Sequence, residues 1–174
     1  EDRTLLVVDE AYGEFSTAPS ARSLLDDRED VAVLRTFSKA YGLAGLRLGY
    51  ALVPEEWADA YERINTPFAV NSPACRAGVA ALAEEEHVEQ SVETARWARE
   101  YIRDHLDART WEGGGNFVLV EVGDASAVAN AAQQEGIIVR DCSNFGLPEC
   151  IRVSAGTREE TRRAVEVLNE VTDS

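Results

Sequence analysis

The sequence predicts an α/β protein in two parts: the C-terminal portion of a large domain built on a mixed, mostly parallel sheet, and a small α+β unit after it. Three observations carry this expectation. Unbroken apolar runs at residues 4–8 ("TLLVV"), 31–34 ("VAVL") and 48–53 ("LGYALV") each border a polar or glycine-rich segment, as strands covered on both faces do. Helical stretches then run from about residue 54 to 106. After residue 110 the pattern changes to short strands alternating with two helices. The expected division is residues 1–90 for the large-domain portion and 91–174 for a long linking helix and the small domain.

Each element has a local reason. The first strand ends at "DEAYGEFS", the second at "RTFSK", and the third follows a segment punctuated by Gly42, Gly45 and Gly49. Pro54 opens the helical "PEEWADAYERI", a favoured first-turn position. "NTPFAVNSP" reads as a loop, followed by the helices "ACRAGVAALAEEE" and "HVEQSVETARWAREYIRDHL". "WEGGGNFVLVEV" is a turn and a strand; the "GGG" does not match a dinucleotide fingerprint. "DASAVANAAQQEG" carries an Asp cap and a Gly stop. "IIVRD" and "CIRVSAG" are short strands around the loop "CSNFGLPE". "TREETRRAVEVLNEV" closes the chain with a Thr cap and Glu160 at the capping-box position.

Composition narrows the partners. There are 32 acidic residues against 17 basic ones, a formal charge of -15, and 45% of residues are hydrophobic. That apolar fraction supports a packed core rather than disorder. Carboxylates scattered along the chain, with arginine in place of lysine, form the pattern of a protein adapted to molar salt. There the Debye length is roughly 3 Å and self-repulsion is screened. The same charge argues against nucleic acid or an anionic membrane as partner. No apolar run approaches a membrane span and no signal peptide is visible. Cys75, Cys142 and Cys150 lack metal or CxxC spacing, so free thiols in a reducing cytoplasm are expected, with no metal site. The chain contains no methionine and begins within a strand pattern, so it is expected to be the later part of a longer protein.

The chemistry gathers around Lys39, the sole lysine of the chain. A lysine amine can lose its proton when desolvated and attack a carbonyl to form a Schiff base; a guanidinium cannot. Ligands of open α/β sheets bind outside the carboxyl ends of the strands. Asp9 stands at one such end and Thr36 to Lys39 at another. This set suits pyridoxal phosphate, which needs an amine, an acid at its ring nitrogen, and hydroxyls and a cation at its phosphate. Asp9 is typed for the nitrogen, Tyr12 for the ring hydroxyl oxygen, and Thr36, Ser38 and Arg47 for the phosphate. Each of these residues taken singly has an ordinary structural explanation. Together, with the sole lysine at their centre, they outweigh it.

"VVDEAYGEF" followed by "TFSKAYGLAGLRLGY" resembles the cofactor-binding core of fold-type I pyridoxal-phosphate aminotransferases of class I and II. Within that group the chain is most similar to the histidinol-phosphate aminotransferases. The resemblance covers essentially all of the chain, including "GNFVLV", "IIVRD" and "IRVSAGTREE". It implies that Lys39 holds the cofactor and carries the proton of the 1,3-shift. Asp9 becomes the pyridine-nitrogen partner, Tyr12 the phenol at the ring oxygen, and Thr36, Ser38 and Arg47 the phosphate cup. Arg140 and Arg152 become the residues that bind the substrate's anionic group.

The implied reaction is transamination of histidinol phosphate with 2-oxoglutarate, in a cytoplasmic protein that is a homodimer at full length. The resemblance also implies an earlier half supplying a phosphate-binding turn, a ring-stacking aromatic and an asparagine at the ring oxygen. "VRDCSNFGLPECIRV" resembles, in addition, the threonine-phosphate decarboxylases of cobalamin biosynthesis, which share the fold and the lysine but cleave a carboxylate. A regulatory or truncated, inactive cofactor-binding domain is the non-enzymatic alternative.

Overall fold

A computed structural model describes residues 4–172, which form two compact units divided between Glu89 and Gln90. The first contains a three-stranded sheet in the order β1-β2-β3: β1 (Leu6–Asp9), β2 (Val31–Thr36) and β3 (Gly49–Leu52). β1 and β2 are parallel, with Asp9 opposite Leu34, and the chain crosses between them through two short 3-10 turns. β3 returns antiparallel, placing Gly49 opposite Thr36. A Cβ at Gly49 would lie 2.8 Å from the Arg35 carbonyl oxygen, so only glycine admits this approach.

The apolar runs are not equally covered. Val31 and Val33 of the central strand are fully buried. Leu6 and Val7 are 38% and 50% exposed, contrary to the expectation of a strand covered on both faces. β1 is the edge of this sheet and has β2 on one side alone among the described residues. Helix α1 (Ala58–Ile64) follows a 3-10 turn after Pro54. Helix α2 (Ser72–Leu82) starts earlier than its apolar pattern suggests, because Asn71 caps it: its Oδ1 accepts from Ala74 N at 2.8 Å.

Helix α3 (Glu85–His105) runs across the division between the units. The second unit holds an antiparallel sheet in the order β4-β5-β7-β6: β4 (Thr110–Trp111), β5 (Phe117–Glu121), β6 (Arg140–Asp141) and β7 (Cys150–Ser154). Helix α4 (Ala125–Gln134) precedes β6 and helix α5 (Arg158–Thr172) ends the unit. Val118, Val120, Ile151 and Val153 alternate onto one face of this sheet. They pack with Ile102 and Leu106, with Ala125, Val128 and Ala132 of α4, and with Val165, Val167 and Leu168 of α5. Burying each of the larger side chains stabilises by about 1.5–3 kcal/mol.

Both sequence-derived caps form here. Asp124 Oδ1 accepts from Ala127 N at 2.9 Å, and Thr157 and Glu160 exchange reciprocal bonds of 3.2 and 2.8 Å. The "IIVRD" strand is shorter than its apolar run. Among the described residues β6 is an edge paired with β7 alone, and Ile138 is 84% exposed.

Candidate active site

The first unit gathers six of the candidate residues at one end of its sheet. β1 ends at Asp9, whose backbone continues the ladder by one step: Glu10 N donates to Leu34 O at 2.9 Å. Asp9 Oδ1 accepts from Ala11 N at 2.9 Å, an Asx turn that fixes the carboxylate. Its Oδ2 has no hydrogen-bond partner among the described residues. Tyr12 sits half-buried at the head of the 3-10 turn Gly13–Phe15, three residues after Asp9.

β2 ends at Thr36, with Phe37 buried behind it and Ser38 and Lys39 following. Lys39 Nζ lies 5.2 Å from the centroid of the Tyr12 ring. In a chain with 32 acidic residues, this amine has no carboxylate partner among the described residues.

Thr36, Ser38 and Arg47 are tied to one another. Thr36 Oγ1 accepts from Ser38 N at 3.1 Å and donates to Leu48 O at 3.3 Å. Arg47 Nη1 donates to Ala44 O at 2.9 Å and lies 3.5 Å from Ser38 Oγ. Arg47 as a whole is exposed. Arg47 also has φ 53° and ψ 48°, a left-handed conformation that costs a non-glycine residue about 1–2 kcal/mol. Strain of this kind concentrates at functional sites.

One network in this unit escapes a motif-by-motif reading. Arg35, half-buried, donates from Nε and Nη2 to Glu10 Oε2 at 2.9 and 2.6 Å, and from Nη1 to Glu14 Oε1 at 3.2 Å. Glu10 also accepts from Ser20 Oγ at 2.9 Å and Ala21 N at 2.5 Å. Burial pushes the Glu10 carboxyl up. The bonds from Ala21, Ser20 and Arg35, together with the guanidinium charge, outweigh that and hold it below its usual range. No local sequence signal marks the pair: it is the parallel register, with Asp9 opposite Leu34, that sets Glu10 beside Arg35.

The second unit holds Arg140 and Arg152. They are register partners on β6 and β7, and the same row continues through Leu119 and Trp111 across all four strands. This row lies on the face opposite the packed core. The Arg152 guanidinium stacks on Phe117 at 4.9 Å, and its Nε is buried without a hydrogen-bond partner. Phe117 was legible only as a strand residue. Two guanidiniums opposed across a ladder repel, and a buried donor left unpaired is costly, unless an anion lies against them.

Comparison with known proteins decides the family. The model of the family "Aminotransferase class I and II" matches residues 1–168. The chain belongs to that family. It is 70% identical, over 98% of its own length, to the histidinol-phosphate aminotransferase of Haloarcula marismortui, and spans 48% of that protein. The chain thus covers about half the length of the curated relatives it matches.

Among solved structures, 98% of the chain superposes on 49% of the histidinol-phosphate aminotransferase of Sinorhizobium meliloti in complex with pyridoxal 5'-phosphate, with TM-score 0.88 and 32% identity. The L-threonine-O-3-phosphate decarboxylase of Porphyromonas gingivalis shares the fold, with TM-score 0.80 over 97% of this chain and 55% of that one, at 22% identity. The aminotransferase chain therefore has the α/β fold of this family, a mixed sheet portion followed by a small α+β unit.

Proposed function

We propose that the full-length protein is a pyridoxal-phosphate-dependent aminotransferase that moves the amine of histidinol phosphate to 2-oxoglutarate. The observation that carries this is Lys39: the sole lysine, free of any carboxylate among the described residues, beside Tyr12 at the strand end next to Asp9. The halophilic relative named for this activity, at 70% identity, supports the substrate. A distant likeness at 22% identity supports nothing beyond a shared fold with the decarboxylase.

When bound, pyridoxal phosphate supplies an electron-accepting ring and a carbonyl carbon. The chain's own residues supply the rest. Lys39 would provide the amine that holds the cofactor and would serve as the proton carrier beside it. The unpaired Oδ2 of Asp9 would hold a proton on the ring nitrogen, and the Tyr12 hydroxyl would donate to the ring oxygen. Thr36, Ser38 and the strained Arg47 take the phosphate. Arg140 and Arg152 bind the substrate's phosphate and, in the other half-reaction, a carboxylate, for which a planar guanidinium fork is suited.

Residues 1–90 serve as the C-terminal portion of the cofactor domain, and 91–174 as linking helix and small domain. Homodimerisation, a cytoplasmic setting and a salt-adapted surface complete the proposal, and the preceding half of the protein supplies the remaining cofactor contacts. The test is borohydride reduction of the full-length holoprotein with peptide mapping. It is paired with assays of amine transfer from histidinol phosphate and of CO2 release from O-phosphothreonine. Label on the "TFSK" peptide and transfer without CO2 release is the expected result. CO2 release would replace the reaction, and absence of label would remove the cofactor.

A further inference from the structure

We infer that Arg35 and Glu10 form a positioning clip that sets the geometry between Lys39 and the Asp9–Tyr12 turn. This deepens the proposed function and rests on it. Glu10 is the residue after Asp9, and Arg35 the residue before Thr36. The pair therefore joins the two strand ends that carry every candidate cofactor contact in this unit except Arg47.

The clip is built in three layers. The Glu10 carboxylate takes four hydrogen bonds: two from Arg35 (2.9 and 2.6 Å), one from Ser20 Oγ (2.9 Å) and one from Ala21 N (2.5 Å). Arg35 spends its remaining arm on Glu14 Oε1 at 3.2 Å, which pins the 3-10 turn headed by Tyr12. Gly13 lies under the fork. A Cβ there would meet Arg35 Cζ at 3.4 Å, an ordinary contact distance, so the guanidinium lies directly against the turn.

No other guanidinium in the described residues has both carboxylate partners so well covered: the Arg35, Glu10 and Glu14 side chains are 21%, 11% and 11% exposed. A pair at that burial is screened less than a surface pair, so its geometry is held even in concentrated salt. The surface pairs Arg28–Asp30 and Arg103–Glu112 have no such cover.

A point charge cannot replace this fork. Lysine at 35 has one nitrogen for the work of three and cannot reach Glu10 and Glu14 together. The turn holding Tyr12 would then shift against Lys39, and misplacement on the order of 1 Å at a reacting centre costs about 100-fold. Arg35 touches none of the reacting atoms and acts through Tyr12 and the strand ends.

The experiment uses the full-length holoprotein with Arg35→Lys and Glu10→Gln. The readouts are kcat, KM, and the pH midpoint of the visible absorbance of bound pyridoxal phosphate. Expected are a fall in kcat of roughly 10- to 100-fold, a KM within about threefold of wild type, and a midpoint moved by about half a pH unit or more. If either variant fails to fold, Glu14→Ala, which removes only the 3.2 Å contact, should move the same midpoint in the same direction by less. Variants that lose thermal stability while keeping kcat and the midpoint would make the clip merely structural and overturn the inference. Wild type without bound pyridoxal phosphate would instead overturn the proposed function, so the two failures are distinguishable.

Discussion

Arg152 and Arg140 face each other across the β6–β7 ladder, on the side of the small sheet away from its core. Antiparallel neighbours in direct register stand about 4.5–5.5 Å apart at Cβ, where like charges destabilise the sheet. Among the described residues, one of the two has an aromatic to lie on, Phe117 under Arg152, and the buried Nε of Arg152 has no acceptor. An acidic protein has carboxylates enough to neutralise such a pair, and none is placed there among the described residues. Two cations kept together and unsatisfied are the arrangement that the proposed anion-binding role calls for.

Replacing either arginine with lysine therefore separates charge from shape. In the full-length protein, Arg152→Lys keeps the charge but loses one or two charge-assisted bonds, worth about 1.5–3 kcal/mol each. The expected result is a drop in kcat/KM of about ten- to several-hundred-fold in both half-reactions. Arg162 is a poor control, because it and Arg158 flank the Trp97 ring at 5.5 and 5.0 Å. Arg163 is better. Its one ion pair, to Glu166, is exposed and 3.8 Å long, so Arg163→Lys should leave the rates unchanged. Equal behaviour of the Arg152 and Arg163 variants would remove the anion role.

Asp9→Asn tests the other end of the chemistry. An amide cannot keep a proton on a ring nitrogen by charge, whereas it preserves the size of the side chain and its bond to Ala11 N. The variant should still bind pyridoxal phosphate, seen by absorbance, and lose most of its transamination rate, by about 100-fold or more. Retained turnover would assign the nitrogen to another residue. Lys39→Ala should abolish borohydride labelling of the "TFSK" peptide, since these 174 residues offer no second lysine.

How much of this was legible beforehand differs by kind of interaction. Lys39, Asp9 and Arg47 stand in a compact motif, and the strand ends that place them follow from apolar runs and loop residues. The capping box of Thr157 and Glu160 is a local pattern, and it forms as read. The exposed flank of β1 could not be anticipated, because an apolar run does not say how much of its cover lies within the same stretch of chain. The Arg35–Glu10–Glu14 clip and the Arg140–Arg152 row depend on register. Register is a relation between distant segments, and one residue of slip would turn each pair to opposite faces.

Arg47→Gly sets conformation against charge. Glycine reaches φ 53° freely, so the substitution relieves about 1–2 kcal/mol of backbone strain, partly offset by the greater freedom of glycine in the unfolded chain. The same change removes the guanidinium beside Ser38. The apoprotein should match or exceed wild type in its urea midpoint, while the Kd for pyridoxal phosphate rises by about tenfold or more. A variant that loses stability and keeps cofactor affinity would mean that Arg47 is held left-handed for packing rather than for the phosphate.

The Glu10 carboxyl gives a pH dependence whose sign is fixed. Burial raises it, but the bonds from Ala21, Ser20 and Arg35 prevail and hold it below its ordinary value of 4.5. A carboxyl depressed on folding contributes stability that is fully present above 4.5 and lost as pH falls through the lower folded value. Wild-type apoprotein should thus be more stable than Glu10→Gln at neutral pH, with the gap closing below about pH 4.5. Urea midpoints measured in constant molar salt isolate this effect, because the Debye length of roughly 3 Å suppresses repulsion among the exposed carboxylates more than it weakens a half-buried pair. A gap that stayed constant into acid would mean that the carboxylate charge contributes nothing to the clip and that its hydrogen bonds alone hold the turn in place.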